Sequence, residues 1–341
     1  QAYVFSFTVE AAGIEVDYAS AKGEVTSKAI LGGWSVHADN NIVVENIAIS
    51  KVFALSTSME VALAKIGTNL AFADERGTYE AGIVTILGDI NAGSGITINN
   101  NYTTIALTQM GPLFTQAPQL SVGTIMVDVQ IADARPNANV YIKRSSVDSE
   151  DGTVTAKNIT LTNRGKVYAD SELISPTVAI NGLNITVNVV KARLNAHVNT
   201  YIKGSNITAD KLTVRTFYNV EDSDDAYSDS PHRADHTGAY VKIKPAVVAV
   251  EAAAVAPNVA FADSDSFVRT DVSAGRLRVS GHTDIYTMAT SYAEARIDPP
   301  KASVTVFKVA VTVTRSGARG SYDTAAAVYG QNNKVVTLNV R

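Results

Sequence analysis

The sequence predicts an all-β chain folded as a parallel β-helix (β-solenoid), on three observations. A short strand-turn-strand motif returns five times, apolar residues alternate with polar ones, and Gly, Asn, Asp and Ser gather between the alternating stretches. The motif is an aliphatic residue, any residue, Ala, two or three turn-forming residues, then Ile or Leu, any residue and another aliphatic. Its copies run from Val36 to Val44, Ile90 to Ile98, Val154 to Leu161, Ile207 to Val214 and Val272 to Val279, with starts 54, 64, 53 and 65 residues apart. A unit of this kind cannot bury its apolar face alone and must stack on copies of itself.

Longer segments repeat as well. Ile125 to Ser145 overlays Ile185 to Ser205 at a constant offset of 60, ending in Tyr141-Ile142-Lys143 and Tyr201-Ile202-Lys203. The match then slips by seven residues, because Asp148 to Thr153 and their neighbours form an insertion, and insertions at one point of a repeat mark a loop. Weaker copies are expected near Val247 to Val250 and Met59 to Leu63, and Val328 to Leu338 reads as a degraded sixth motif.

Alternation as in Ile185-Thr-Val-Asn-Val189 and Val311-Thr-Val313 is period two, which is strand. Asp39-Asn-Asn41, Gly93-Ser-Gly95 and Asn332-Asn333 supply the corners. A repeat of this length exceeds a rung of roughly 20 to 25 residues, so each repeat is expected to hold two or three rungs. Roughly 14 to 17 rungs would then make a rod about 70 to 80 Å long. The motif Ala reads as the small inward residue that lets a corner close at high density.

At 341 residues a solenoid needs no second core, so the expected organisation is one elongated domain, with 1–120 less regular than 121–341. Hydrophobic residues make up 46 % and charged residues 18 %; the net charge of -4 and the lack of any basic cluster argue against a nucleic-acid partner. The chain has no cysteine, which suits a protein exported unfolded across a bacterial envelope. No apolar run reaches the roughly 20 residues of a membrane-spanning helix. Gln1 and the strand-like ending at Arg341 suggest a processed or excised stretch with uncapped ends, open to further strands.

Ile185 to Ala192, followed by Val198 to Val214, resembles the β-strand repeats of leukotoxin-like filamentous adhesins, which are related in architecture to filamentous haemagglutinins. The resemblance is clearest over about 121 to 315 and fainter in the first 120 residues. It implies a right-handed parallel β-helix, secretion through the outer membrane and a role in adhesion or as a surface fibre, and it carries no catalytic residues to transfer. The chain is much shorter than the giant members, as a fragment or a small relative would be.

Candidate sites are few. Glu221 to Ser230 is the densest charged run, with His232 and His236 after it. It lacks the Gly hinge and terminal Glu of a Ca²⁺ loop and reads as a solvated loop, and the two histidines lack further ligands, so no metal is expected. Polysaccharide cleavage needs two acids roughly 5 to 10 Å apart, which on a β-helix means acids stacked on one face. Asp128 aligns with Asn188 and with Ala249, Asp133 falls opposite Arg193, and Asp148 lies in the inserted loop, so no acidic column is expected. Tyr141 and Tyr201 offer rings to a sugar or pack on each other, the second being the preferred reading. Trp34 reads as a turn-anchored core residue. Sequons at Asn101, Asn158, Asn184 and Asn206 arise from composition, and repeated Asn positions suggest stacked amide ladders.

The expected function is therefore a non-enzymatic extracellular fibre or stalk of a bacterial surface adhesin, without cofactors or membrane insertion, recognising a host or neighbouring-cell ligand. The alternatives are a filament subunit that self-associates through its solenoid ends, and a carbohydrate-active β-helix enzyme or spike.

Overall fold

A computed structural model describes residues 1–33, 35–86, 88–111, 119–145, 152–175, 178–220, 237–245, 248–299, 302–328 and 334–340. Among these, every regular element is a strand. The first six are β1 (Ala2–Gly33), β2 (Val36–Ala38), β3 (Asn41–Thr85), β4 (Ile90–Ala92), β5 (Gly95–Met110) and β6 (Gln119–Ala134). Then come β7 (Asn137–Arg144), β8 (Thr153–Ile174), β9 (Val178–Lys203), β10 (Asn206–Tyr218), β11 (Gly238–Lys244) and β12 (Val248–Val255). The last are β13 (Asn258–Ala274), β14 (Arg276–Ala289), β15 (Ala293–Ile297), β16 (Ala302–Val309), β17 (Thr312–Val328) and β18 (Lys334–Val340).

All pairings between layers are parallel, and each segment pairs with the next repeat of the chain. Ala21 lies beside Ala73, then Ala132, Ala192, Ala262 and Ser316, which defines six layers. One repeat is thus one layer, and the expected two or three rungs per repeat is corrected. The first and sixth layers stand only about 24 Å apart at 4.8 Å per step, in place of a rod of 70 to 80 Å. The reason is that each layer doubles back as two long facing stretches. A first wall is built from 10–33, 62–85, 119–144, 178–203, 248–274 and 302–328. A second wall is built from 36–56, 90–110, 153–174, 206–218 with 238–244, 276–297 and 334–340. The walls touch through side chains such as Tyr79 and Tyr102, stacked at 4.9 Å, and Tyr218 and Ser266, hydrogen-bonded at 2.9 Å.

The offset-60 alignment is in register, with Ile125 on Ile185 and Tyr141 on Tyr201. The slip of seven is present too: the offset is 60 at Lys143 and Lys203 and 53 at Thr153 and Asn206. The first four motif copies stack directly, Val36 on Ile90, Ile90 on Val154 and Val154 on Ile207. The fifth is displaced: Ile207 pairs with Leu277, while Val272 pairs with Ile202. The motif carries an aliphatic-x-small pair on one side of its turn and an aliphatic-x-aliphatic pair on the other, so it matches itself five residues out of step. The weak copies also begin later than expected, at Ile66 and Val255, which pair with Ile125 and Ile185. Here the register jumps from 53 to 70 across the link between Tyr218 and Gly238, and the Ala/Val run at 246–256 carries no alternation to fix its phase.

The interior holds two large apolar clusters among the described residues, one around Ala54, Ala106, Ala132 and Ala192 and one around Ile83, Ile98, Leu161 and Val214, and a small third one of Phe217, Val220 and Tyr286. The motif alanines border the second: Ala92, Ala156 and Ala209 are 5 to 6 % exposed and Ala274 is fully buried. Between the two large clusters runs a polar spine along the stacking direction. Asn46 donates to Asn100 at 2.8 Å and Asn100 to Asn163 at 3.0 Å, and Asn163 donates to the carbonyls of Ala138 and Asn199. Threonines continue it: Thr216 lies 2.6 Å from Thr200 and 2.7 Å from Thr270, Thr287 2.8 Å from Thr270, and Thr324 2.9 Å from Thr287. These buried groups are satisfied only in this register, so the spine fixes alignment where apolar contacts alone tolerate a slip.

Candidate functional site

Period-two alternation puts every second residue of the first wall outside. At Lys22, Asp74, Asp133, Arg193 and Asp263 that outward column is charged. Among the described residues it holds the one stacked acid pair that bears on polysaccharide chemistry, Asp74 and Asp133 on neighbouring layers. The Arg135 Nη2 stands 3.0 Å from Asp74 Oδ1 and 3.0 Å from Asp133 Oδ2, Arg76 adds a contact to Asp74 at 3.0 Å, and Arg193 approaches Asp133 at 3.8 Å. Burial pushes the Asp133 carboxyl up from the usual carboxylate range, while Arg135 and Arg193 pull it down. Cleavage of a glycosidic bond needs one acid free to give a proton and another free to act on the sugar. Here one guanidinium ties both, so the geometry is that of an ion-pair staple across layers. Asp133 stands opposite Arg193, as the alignment has it. Asp74 escaped the sequence reading although Asp74-Glu-Arg76 and Asp133-Ala-Arg135 share a D-x-R signature 59 residues apart.

On the inner side of the same wall, Asp17, Asn69, Asp128, Asn188 and Asn258 form one column. The partner of Asn188 in the following layer is Asn258, which corrects the alignment with Ala249; Ala249 pairs with Ala179. Asn69 Nδ2 donates to Asp128 Oδ1 at 2.8 Å and Asn188 Nδ2 to Asn258 Oδ1 at 2.6 Å. Burial pushes the Asp128 carboxyl up to about 6, against the opposing pull of the Asn69 hydrogen bond and the Lys65 charge. Lys65 is itself buried and ion-paired with Glu15 at 3.1 Å. The column is an amide-carboxyl ladder in which both register neighbours of Asp128 are amides.

Tyr141 and Tyr201 stack on each other with centroids 5.4 Å apart, and the Lys143 ammonium sits 4.5 Å from the Tyr141 ring. Tyr141 also lies over Gly82, its register partner, so its faces are taken up inside the protein. Asn184 is engaged as well: it donates to Glu251 at 2.6 Å and accepts from Thr186 at 2.6 Å. An open groove of about 660 Å³ runs over Ala92, Ala156 and Ala209, where the motif copies stack, with Lys157, Asp210 and Arg278 at its rim. Asp210 accepts a hydrogen bond from Ser280 at 2.6 Å, and among the described residues no second carboxylate lines the groove.

Trp34, Asp148, the run Glu221 to Ser230, His232 and His236 lie outside the described residues, as does part of the tail motif. The described ends of that tail pair with the fifth copy out of step with the motif, Val328 lying on Ala274 where the motif would put it on Val272, and Val335 on Val279. Among the described residues no three His, Asp or Glu gather as a metal site, and no helix is long and apolar enough to cross a membrane. Comparison with known proteins finds no matching family model, no curated relative and no solved structure of similar fold.

Proposed function

We propose that this chain is a non-enzymatic structural module, a flattened right-handed β-solenoid that forms part of an extracellular fibre or stalk of a bacterial surface adhesin. The observation that carries this reading is the polar spine from Ser27 through Asn46, Asn100 and Asn163 to the threonine series ending at Thr324, running parallel to the backbone ladders through the stack. Such cross-layer hydrogen bonds stiffen a stack and contribute nothing to turnover. The stacked acids Asp74 and Asp133 are tied up in ion pairs, and ligand recognition on a host or neighbouring cell falls to the links between layers. Immunogold labelling of intact producing cells tests the location, and incubation with uronide and neutral glycans tests the absence of cleavage. Label confined to permeabilised cells would sink the fibre reading. Glycan cleavage lost in Asp74→Asn or Asp133→Asn would establish the enzyme instead.

One observation favours a second reading, a filament subunit. Among the described residues β1 pairs only with β3, and β16, β17 and β18 pair only with β12, β13 and β14, leaving long parallel edges on both ends of the stack. Unpaired edges template the addition of further strands, from flanking chain or from another copy. Concentration-dependent fibres in electron micrographs would favour the filament.

A further inference from the structure

The outward columns of the first wall divide into two halves. The column at Lys22 is charged through its first five layers, whereas the columns at Ile14 and Tyr18 are apolar through the whole stack; the column between these halves, Ser20, Phe72, Ile131, Lys191, Phe261 and Arg315, is mixed. One column reads Ile14, Ile66, Ile125, Ile185, Val255 and Val309. Another reads Tyr18, Leu70, Val129, Val189, Val259 and Val313. Between them stand Val16, Thr68, Val127 and Val187 in register, with Thr68 the one polar member of these four. Ile14 is 83 % exposed and Val313 41 %; inner layers are lower because the layers on either side shade their flanks. The second wall differs on its outer face, where Ile49 is followed by Thr103 and Lys166. Apolar patches of this extent with a charged border mark interaction surfaces.

We propose that this apolar face docks on the same face of a second copy of the chain, giving a symmetric sheet-on-sheet dimer. Two features select a second copy. The patch is about 20 Å wide over three outward columns and about 29 Å tall over six layers, roughly 580 Å² per face. Two such faces bury roughly 1,200 Å², at the lower end of the range of stable interfaces. The ridges of β-branched side chains also recur at the layer spacing, so a partner that interdigitates with all six must carry the same spacing, which another copy does. This contact uses a face and not an end, so it is independent of any end-to-end stacking.

Sedimentation velocity over the micromolar range tests it, with Val129→Glu/Val189→Lys as the variant. The two positions are register partners on the outer face, so the new charges pair with each other in the monomer. The expected result is a wild-type dimer and a variant whose self-association is roughly 100-fold weaker, with an unchanged thermal midpoint. The absence of cysteine allows a second reading should that variant fold poorly. Val127→Cys should form a covalent dimer with a short bismaleimide, while Thr103→Cys on the second wall should not. End-to-end stacking would leave the introduced thiols of neighbouring copies a full stack apart and uncrosslinked. A wild type that stays monomeric overturns the proposal, as does a dimer indifferent to the charge variant or a Val127→Cys chain that does not crosslink. Binding to vesicles of phosphatidylcholine and phosphatidylglycerol, lost in the charge variant and without dimerisation, would make the face a lipid contact and overturn it equally.

Discussion

Asp128 sits between Asn69 and Asn188 in a column where amides would satisfy one another fully, and the Asn188 Oδ1 is left without a donor. The carboxyl ionises near 3.8 when unfolded and near 6 when folded, so the unfolded chain releases its proton first as pH rises. Stability from this group is full below the lower value and falls through the upper one, by about 1.4 kcal/mol per unit and roughly 2 to 3 kcal/mol in all. Asp128→Asn should remove that slope and, with an amide donor facing Asn188, stabilise the protein at neutral pH; urea unfolding from acid to neutral pH reads both effects. Curves for the two proteins that run parallel would contradict the ladder. Asn100→Ala should cost about 2 to 4 kcal/mol, since Asn46 and Asn163 each lose a buried partner. Arg135→Ala leaves Asp74 beside a buried Asp133; because Arg135 is itself 35 % exposed, the expected loss is about 1 to 3 kcal/mol. Asn ladders were legible as repeated Asn, but their members were not, because a side chain's partner lies one layer away and layer lengths vary from 52 to 71 residues.

At the scale of elements, period-two alternation and Gly/Asn corners identified the strands, since both follow from local geometry. What alternation cannot show is where the chain folds back, because the strand pattern continues through a corner: β3, from Asn41 to Thr85, passes from the second wall at 41–56 into the first at 62–85. The motif alanines mark one constriction. Ala156 lies between Asn91–Ala92 and Ala209 in the stack and is 5 % exposed, so Ala156→Leu should overpack the corner and cost about 2 to 3 kcal/mol, while Thr155→Ser beside it should stay within about 0.5 kcal/mol. Chemical denaturation compares the two directly, and equal losses would refute the constriction. Glycine serves the same packing from the other side: Gly165 stands beside Tyr102 in register, and the ring lies where a side chain would project.

For the whole molecule, the stack is wide and short: six layers, two facing walls, and a polar spine between two apolar clusters. The five motif copies announced a repeating architecture, and four of them stack as the spacing implies. The layer count was not legible, because it rests on contacts between walls that are remote in sequence, such as Thr200 with Thr216 and Ser27 with Asn46. The central claim is that one repeat makes one layer. Thr26, Thr78, Asn137, His197, Phe267 and Ser321 follow one another in a single outward column, and the chain carries no cysteine to interfere with labelling. Pulsed electron spin resonance between labels at Thr26→Cys and Ser321→Cys measures the height of the stack. A separation of about 24 Å, broadened by the label linkers, is the predicted result. A distance on the order of 70 Å would mean several rungs per repeat and contradict the layered architecture.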